Sequence, residues 1–136
     1  MNYETIEYRE LEPGIGEIAL NRPRRYNAVN FQMMEELEHF WRQRQQDLST
    51  HVLILSGNGD KGFCAGLDMR EAIKRYSDMD PDHVYAFQTR LARMIVAMRR
   101  VPQPIVCAVH GPAVGLGFSF ALASDIRVVS PDARFS

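Results

Sequence analysis

Two glycine-bearing loops carry the chemistry this chain offers. One is Phe63-Cys64-Ala65-Gly66-Leu67-Asp68-Met69, after the apolar run Val52–Leu55; the other is Gly111-Pro112-Ala113-Val114-Gly115-Leu116-Gly117, after Ile105–Val109. Each stands where an expected strand gives way to an expected helix, so its backbone N–H groups lack intrahelical acceptors and the helix dipole favours negative charge there. Amides so placed stabilise a developing oxyanion without any ionisable side chain. The pair reads as a candidate oxyanion hole.

The second loop has a rival reading. Gly111, Gly115 and Gly117 also match the glycine spacing of a dinucleotide-binding turn, in which a pyrophosphate approaches a helix N-terminus. Such a turn normally opens its domain, whereas too few residues follow Gly117 here for the remaining strands or for a Tyr-xxx-Lys proton donor. The glycines would also serve plain close packing of helix on strand.

The side chains around the loops are poor nucleophiles and bases on their own. Cys64 has no histidine near it in sequence and reads as a small buried hydrophobe. His110 reads as a hydrogen-bonded structural imidazole, and His39, His51 and His83 share no metal-ligand spacing, so no metal is expected. Cys64 and Cys107 form neither a disulfide framework nor a zinc motif, which fits a reducing, cytoplasmic setting. Asp68 reads as the N-cap of a helix over Met69–Tyr76, and Asp125 as a cap or turn residue.

The elements that must position the loops follow from periodicity. Thr5–Arg9 and Ile15–Leu20 around Glu12-Pro13-Gly14 predict a β-hairpin. Asn30 is placed to cap a helix whose apolar face holds Met33, Met34, Leu37, Phe40, Trp41 and Leu48. His51–Ser56 and Ile105–Val109 read as buried strands and Ile126–Val129 as another. Between them lie a short helix over Arg70–Tyr76, a longer one opened by Asp80-Pro81-Asp82, and a small-residue helix over Gly115–Ser124. A hairpin followed by helix–strand alternation predicts an α/β layered fold. Phe135 reads as the start of a further apolar element, and the chain is expected to stop short of a complete sheet.

The 136 residues carry sixteen basic and seventeen acidic side chains, a formal net charge of −1, which argues against nucleic acid or an acidic membrane surface as partner. No apolar stretch approaches the eighteen residues of a membrane helix. Lys61 and Lys74 are the only lysines, so Arg forks dominate the positive charge.

Three blocks in order resemble the enoyl-CoA hydratase/isomerase (crotonase) superfamily: Asn21-Arg22-Pro23 with Asn27-Ala28, the Phe63–Met69 loop, and Ile105–Gly117, followed by Ala121-Leu122-Ala123-Ser124-Asp125-Ile126-Arg127. The resemblance implies the crotonase spiral of repeated β-β-α units, with residues 1–136 as the N-terminal portion of an acyl-CoA-binding core that stops before the C-terminal helices. It implies that the amides of Leu67 and Leu116 hold the thioester oxygen of an acyl-CoA as it becomes enolate-like. It places coenzyme A, as part of the substrate and not as a separate cofactor, against Arg24, Arg25, Ala28, Val29, Ala65, Gly66, Leu67, Asp68 and Met69.

The resemblance also marks a departure. Hydratases of the family carry a glutamate where this chain has Ser119, and a hydroxyl cannot replace a carboxylate as general base near neutral pH. The expected function is therefore acyl-CoA binding with enolate stabilisation, as in hydratases (lyases) or isomerases of fatty acid metabolism. The alternative is a non-catalytic acyl-CoA-binding or subunit-interaction relative. A completed chain is expected to assemble as a trimer or a pair of trimers.

Overall fold

The turn at Glu12-Pro13-Gly14 joins β1 (Ile6–Glu12) and β2 (Ile15–Leu20) into an antiparallel hairpin in the computed structural model, which describes residues 1–136. β1 runs past the expected end at Arg9, because pairing with β2 continues through a bulge between Glu10 and Glu12. From β2 onward each new strand is parallel to the last: β3 (Val52–Gly57), β4 (Ile105–Val109) and β6 (Ile126–Val129) complete a sheet in the order β1-β2-β3-β4-β6. A second, two-stranded sheet pairs β5 (Pro112–Ala113) with β7 (Arg134–Phe135).

Parallel neighbours need crossovers, and helices supply them. α1 (Phe31–Arg44) starts at Asn30, whose side chain accepts the Met33 N–H at 2.9 Å. Its stripe of Met33, Met34, Leu37, Phe40 and Trp41 is buried to within about 1% exposure. Each such side chain contributes about 1.5–3 kcal/mol by leaving water. Leu48, expected on the same stripe, lies outside the helix and is 84% exposed. The Asp47 carboxylate accepts from Ser49 N, Ser49 Oγ, Thr50 Oγ1 and Arg44, and this local turn takes the backbone out of helix first.

α2 (Met69–Tyr76) and α3 (Pro81–Arg99) follow β3; Asp80 caps α3 by accepting the His83 N–H at 3.0 Å. α3 lies on α1, where Arg90 grips Glu38 with a two-pronged ion pair at 2.7 and 2.8 Å. Phe87, Met94 and Met98 from its apolar face join a core of 23 buried residues, whereas Val84 stays exposed. α4 (Leu116–Ala123) then leads into β6, all four residues of which are exposed. Ile126, Val128 and Val129 of this strand, and Leu122 before it, are exposed apolar side chains. No helix is long and apolar enough to cross a membrane.

Candidate functional site

Main-chain hydrogen bonds lace three segments far apart in sequence. Cys64 N–H donates to Pro112 O (3.1 Å) and Val114 N–H to Cys64 O (2.9 Å), joining the two glycine loops. Val29 N–H donates to Gly66 O (2.7 Å), Asp68 N–H to Val29 O (2.8 Å) and Ala65 N–H to Tyr26 O (2.9 Å), joining the Asn21–Val29 segment to the first loop. The second of these seams is a parallel bridge between Val29 and Leu67 whose bonds use the neighbours of Leu67. In a parallel ladder that turns the Leu67 N–H to the opposite side, and no acceptor meets it there among the loop, cap and side-chain bonds.

Leu116 opens α4, and its N–H likewise finds no acceptor among those bonds, while Gly115, Gly117 and Ser119 on either side all donate to main-chain oxygens. The two free donors belong to touching backbones. A Cβ built on Gly66, whose φ is +89°, would stand 2.7 Å from Val114 O and 3.5 Å from Leu116 N. One on Gly117 would stand 2.7 Å from Cys64 Cβ and closer still to Cys64 O. Close approach requires glycine at both positions, and at Gly66 the left-handed backbone requires it as well. Ser119, one turn into α4, donates its hydroxyl to Gly115 O at 3.3 Å.

Beside the first loop a groove of about 290 Å³ is lined by Arg24, Arg25, Tyr26, Ala28, Ala65, Leu67, Asp68, Met69 and Arg70. Seven of these were expected at a ligand; Val29 and Gly66 are buried behind the wall as its backbone seam. Leu116 and Ser119 do not line the groove. Arg24 and Arg25 are exposed, and none of the ion pairs in the structure involves them. Tyr26 and Arg70 were not foreseen, nor was Lys61, whose ammonium lies 5.1 Å from the Tyr26 ring centroid.

The residue that sequence reasoning missed most clearly is Arg22. One guanidinium nitrogen donates to both Ala28 O and Asp68 Oδ2, the latter at 3.0 Å, so Arg22 ties the two walls of the groove together from behind. Asp68 does stand at the N-cap position of α2, but its side chain makes no capping bond; the carboxylate is spent on Arg22. Partial burial disfavours the Asp68 charge, yet the Arg22 hydrogen bond and charge, with the nearby Glu71 and Arg70 amides too poorly aligned to cap but still favourable to the carboxylate, outweigh it and hold the carboxyl below its ordinary value of 3.8.

A carboxyl whose folded pKa is depressed lends stability that is complete above the unfolded value and is lost as pH falls through the folded one. The groove wall is therefore expected to loosen only in acid, below the usual carboxylate range. Following the Asp68 carboxyl carbon by NMR through an acid titration should give a midpoint under 3.8, moving upward in Arg22→Gln. An unmoved midpoint would mean that the pair does not hold the wall.

The remaining polar groups are structural. Cys64 is fully buried, its Sγ donates to Asn27 O at 3.2 Å, and burial pushes its thiol up to about 12. His110 Nε2 donates to Gly59 O at 2.8 Å. Asp125 joins Arg99 to the Ile105 amide, both at 2.8 Å.

Comparison with known proteins meets the same stretch of chain. The "Probable enoyl-CoA hydratase EchA12" of Mycobacterium tuberculosis is 38% identical over 126 residues, covering 90% of this chain and 44% of that protein. The 1,2-epoxyphenylacetyl-CoA isomerase of Escherichia coli is 32% identical over 125 residues, covering 92% of this chain and 47% of the isomerase. Among solved structures, an enoyl-CoA hydratase from Bacillus anthracis superposes with a TM-score of 0.87 at 30% identity, over 97% of this chain and 50% of that one. One from Mycobacterium smegmatis gives 0.89 at 27% identity, over 98% and 51%. The chain thus spans about half the length of the relatives it matches, and its α/β layers are those of the N-terminal half of the crotonase fold. With the family described as enoyl-CoA hydratase/isomerase matching residues 15–136, both glycine loops included, this chain belongs to that family.

Proposed function

We propose that the groove at Arg24 and Arg25 takes the coenzyme A part of an acyl-CoA thioester. The Leu67 and Leu116 amides then hold the thioester oxygen as it gains enolate charge. The observation that carries this reading is the pair of N–H groups without acceptors on two backbones in contact at Gly66. Each such donor is worth about 2.7–4 kcal/mol to a transition state when aimed at the developing oxyanion. The free Arg24 and Arg25 forks suit the phosphates of the carrier. For the whole protein we propose hydration or isomerisation of a fatty enoyl-CoA in the cytoplasm, with assembly into trimers or pairs of trimers.

Ser119 favours a second reading for the described residues. With a hydroxyl where hydratases of the resembled pattern have glutamate, this half supplies binding and carbonyl polarisation, and proton transfer falls to a group elsewhere. A protein that binds acyl-CoA without turning it over would carry the same serine. The dinucleotide reading is weaker, since it leaves the first loop and its free amide without a role.

The test is a titration followed by amide NMR. A non-hydrolysable acyl-CoA thioether-ketone analogue should move the Leu67 and Leu116 amide protons downfield, whereas free coenzyme A should perturb only the Arg24–Tyr26 end of the groove. If the analogue leaves both leucine amides unmoved, the oxyanion-hole reading fails; if a nicotinamide dinucleotide moves the Gly111–Gly117 loop instead, the rival reading takes its place.

A further inference from the structure

The second glycine loop is gripped from both sides. Pro112 O and Val114 N–H face Cys64, while the alternate positions face the end of the described chain. Arg134 N–H donates to Gly111 O (2.9 Å), Ser136 N–H to Ala113 O (3.2 Å), and Gly115 N–H to Ser136 O (2.8 Å). The alternation is that of a central strand in a parallel ribbon. The Phe135 ring adds a tilted contact with Phe118, centroids 5.4 Å apart, on the first turn of α4.

We propose that Arg134–Ser136 is a positioning element for the Leu116 donor, acting by anchoring the Gly115 peptide. Gly115 has φ +53° and ψ −114°, and a Cβ built on it would meet nothing within 4 Å. No side-chain packing restrains it, and glycine crosses between backbone wells at little cost. What fixes it is hydrogen bonding at both ends: its N–H donates to Ser136 O, and its C=O accepts from Ser119 N–H (3.0 Å) and Ser119 Oγ (3.3 Å). The Leu116 N–H belongs to the same peptide plane as that carbonyl. Releasing the Ser136 end frees the Val114–Gly115 peptide, and rotation about the Gly115 Cα then tilts the next plane and turns the donor away from the position facing Gly66. Ser119 thereby gains a role of its own, holding the Gly115–Leu116 peptide while Ser136 holds the Val114–Gly115 peptide before it.

The proposal rests on the oxyanion-hole reading, so its test has one arm that needs no ligand. Amide hydrogen exchange is compared in wild type, Phe135→Ala, Phe135→Leu, Ser136→Pro and Ser136→Ala. The proline removes the bond to Ala113 O, while the Ser136→Ala variant keeps every main-chain bond. Phe135→Ala and Ser136→Pro should speed exchange at Gly115 by about tenfold or more, with the Leu53 and Leu55 amides of β3 unchanged and the other two variants near wild type.

In the second arm a chromophoric enoyl-CoA thioester reports carbonyl polarisation as a red shift. Phe135→Ala and Ser136→Pro should lose half or more of that shift while affinity for free coenzyme A holds. Should Phe135→Ala not fold, the Ser136→Pro and Ser136→Ala pair decides. Unchanged Gly115 exchange overturns the anchor, and faster exchange with a full red shift overturns its link to the donor. A wild-type protein that protects Gly115 yet gives no red shift overturns the acyl-CoA reading itself, and the positioning role with it.

Discussion

Gly117→Ala is expected to separate the two donor loops and to remove most of the carbonyl polarisation. The added methyl would stand 2.7 Å from Cys64 Cβ and press on Cys64 O, which is a main-chain atom bonded to Val114 N–H and unable to step aside alone. Relief requires α4 to back away from the first loop, and forced repacking of this kind costs about 1–3 kcal/mol of stability. The larger loss is functional. Moving the start of α4 takes the Leu116 donor out of line with Leu67, and removal of one such donor lowers rate by about a hundredfold to a thousandfold.

Leu116→Ala is the contrast, because only the amide is asked to act and alanine keeps it. Urea denaturation and the thioester red shift, measured on both variants, separate the two losses. If Gly117→Ala polarises a bound thioester as strongly as wild type, the two loops do not form one oxyanion hole.

Asn27→Ala is expected to be the most destabilising single change near the groove. The side chain is fully buried and makes three bonds: Oδ1 accepts Arg22 N–H at 2.9 Å, and Nδ2 donates to Asn58 O at 3.0 Å and Gly62 O at 3.1 Å. Alanine leaves all three main-chain groups without that partner, and at about 1–1.5 kcal/mol for each lost bond the loss is about 3–5 kcal/mol. The backbone adds to it, since φ at Asn27 is +53°, a conformation that asparagine tolerates and alanine resists. Against a typical domain stability of about 5–15 kcal/mol this is a large share. Asn27→Gly relieves the backbone without restoring the bonds, so the difference between the two variants in a urea series measures the strain. A shift under about 1 kcal/mol in Asn27→Ala would show that the turn is held by other contacts.

The candidate site was legible in sequence wherever its requirement is local. A strand-to-helix junction rich in glycine announces free amides from spacing alone, although the contacts that demand glycine at 66 and 117 are with Val114 and Cys64, far along the chain. Asn30 and Asp80 were equally plain, because a cap is a relation between residues three apart. Arg22, Asn27 and the Asp68 carboxylate were misread or missed because their partners lie tens of residues away: Asp68 for Arg22, Asn58 and Gly62 for Asn27. Leu48 failed for a different reason. Periodicity carried the apolar stripe one turn too far, while the short-range bonds of Asp47 had already ended the helix. The α/β layering was readable, but the strand order that sets β2, β3, β4 and β6 parallel side by side rests on long-range pairing.

That order governs how the chain reaches its native state. Only β1 with β2 is a hairpin that closes locally; Gly16 must find Leu53, Leu53 must find Ile105, and Val106 must find Ile126. Each pairing spends loop entropy before it is rewarded, which makes such a sheet slower to form than local helix or hairpin contacts. The donor loops come together only after β3 and β4, because Cys64 cannot meet Ala113 until those strands are side by side. A nascent chain therefore holds β2, β3 and their apolar faces exposed well before any ligand site exists, and its yield in cells depends on how quickly β4 arrives.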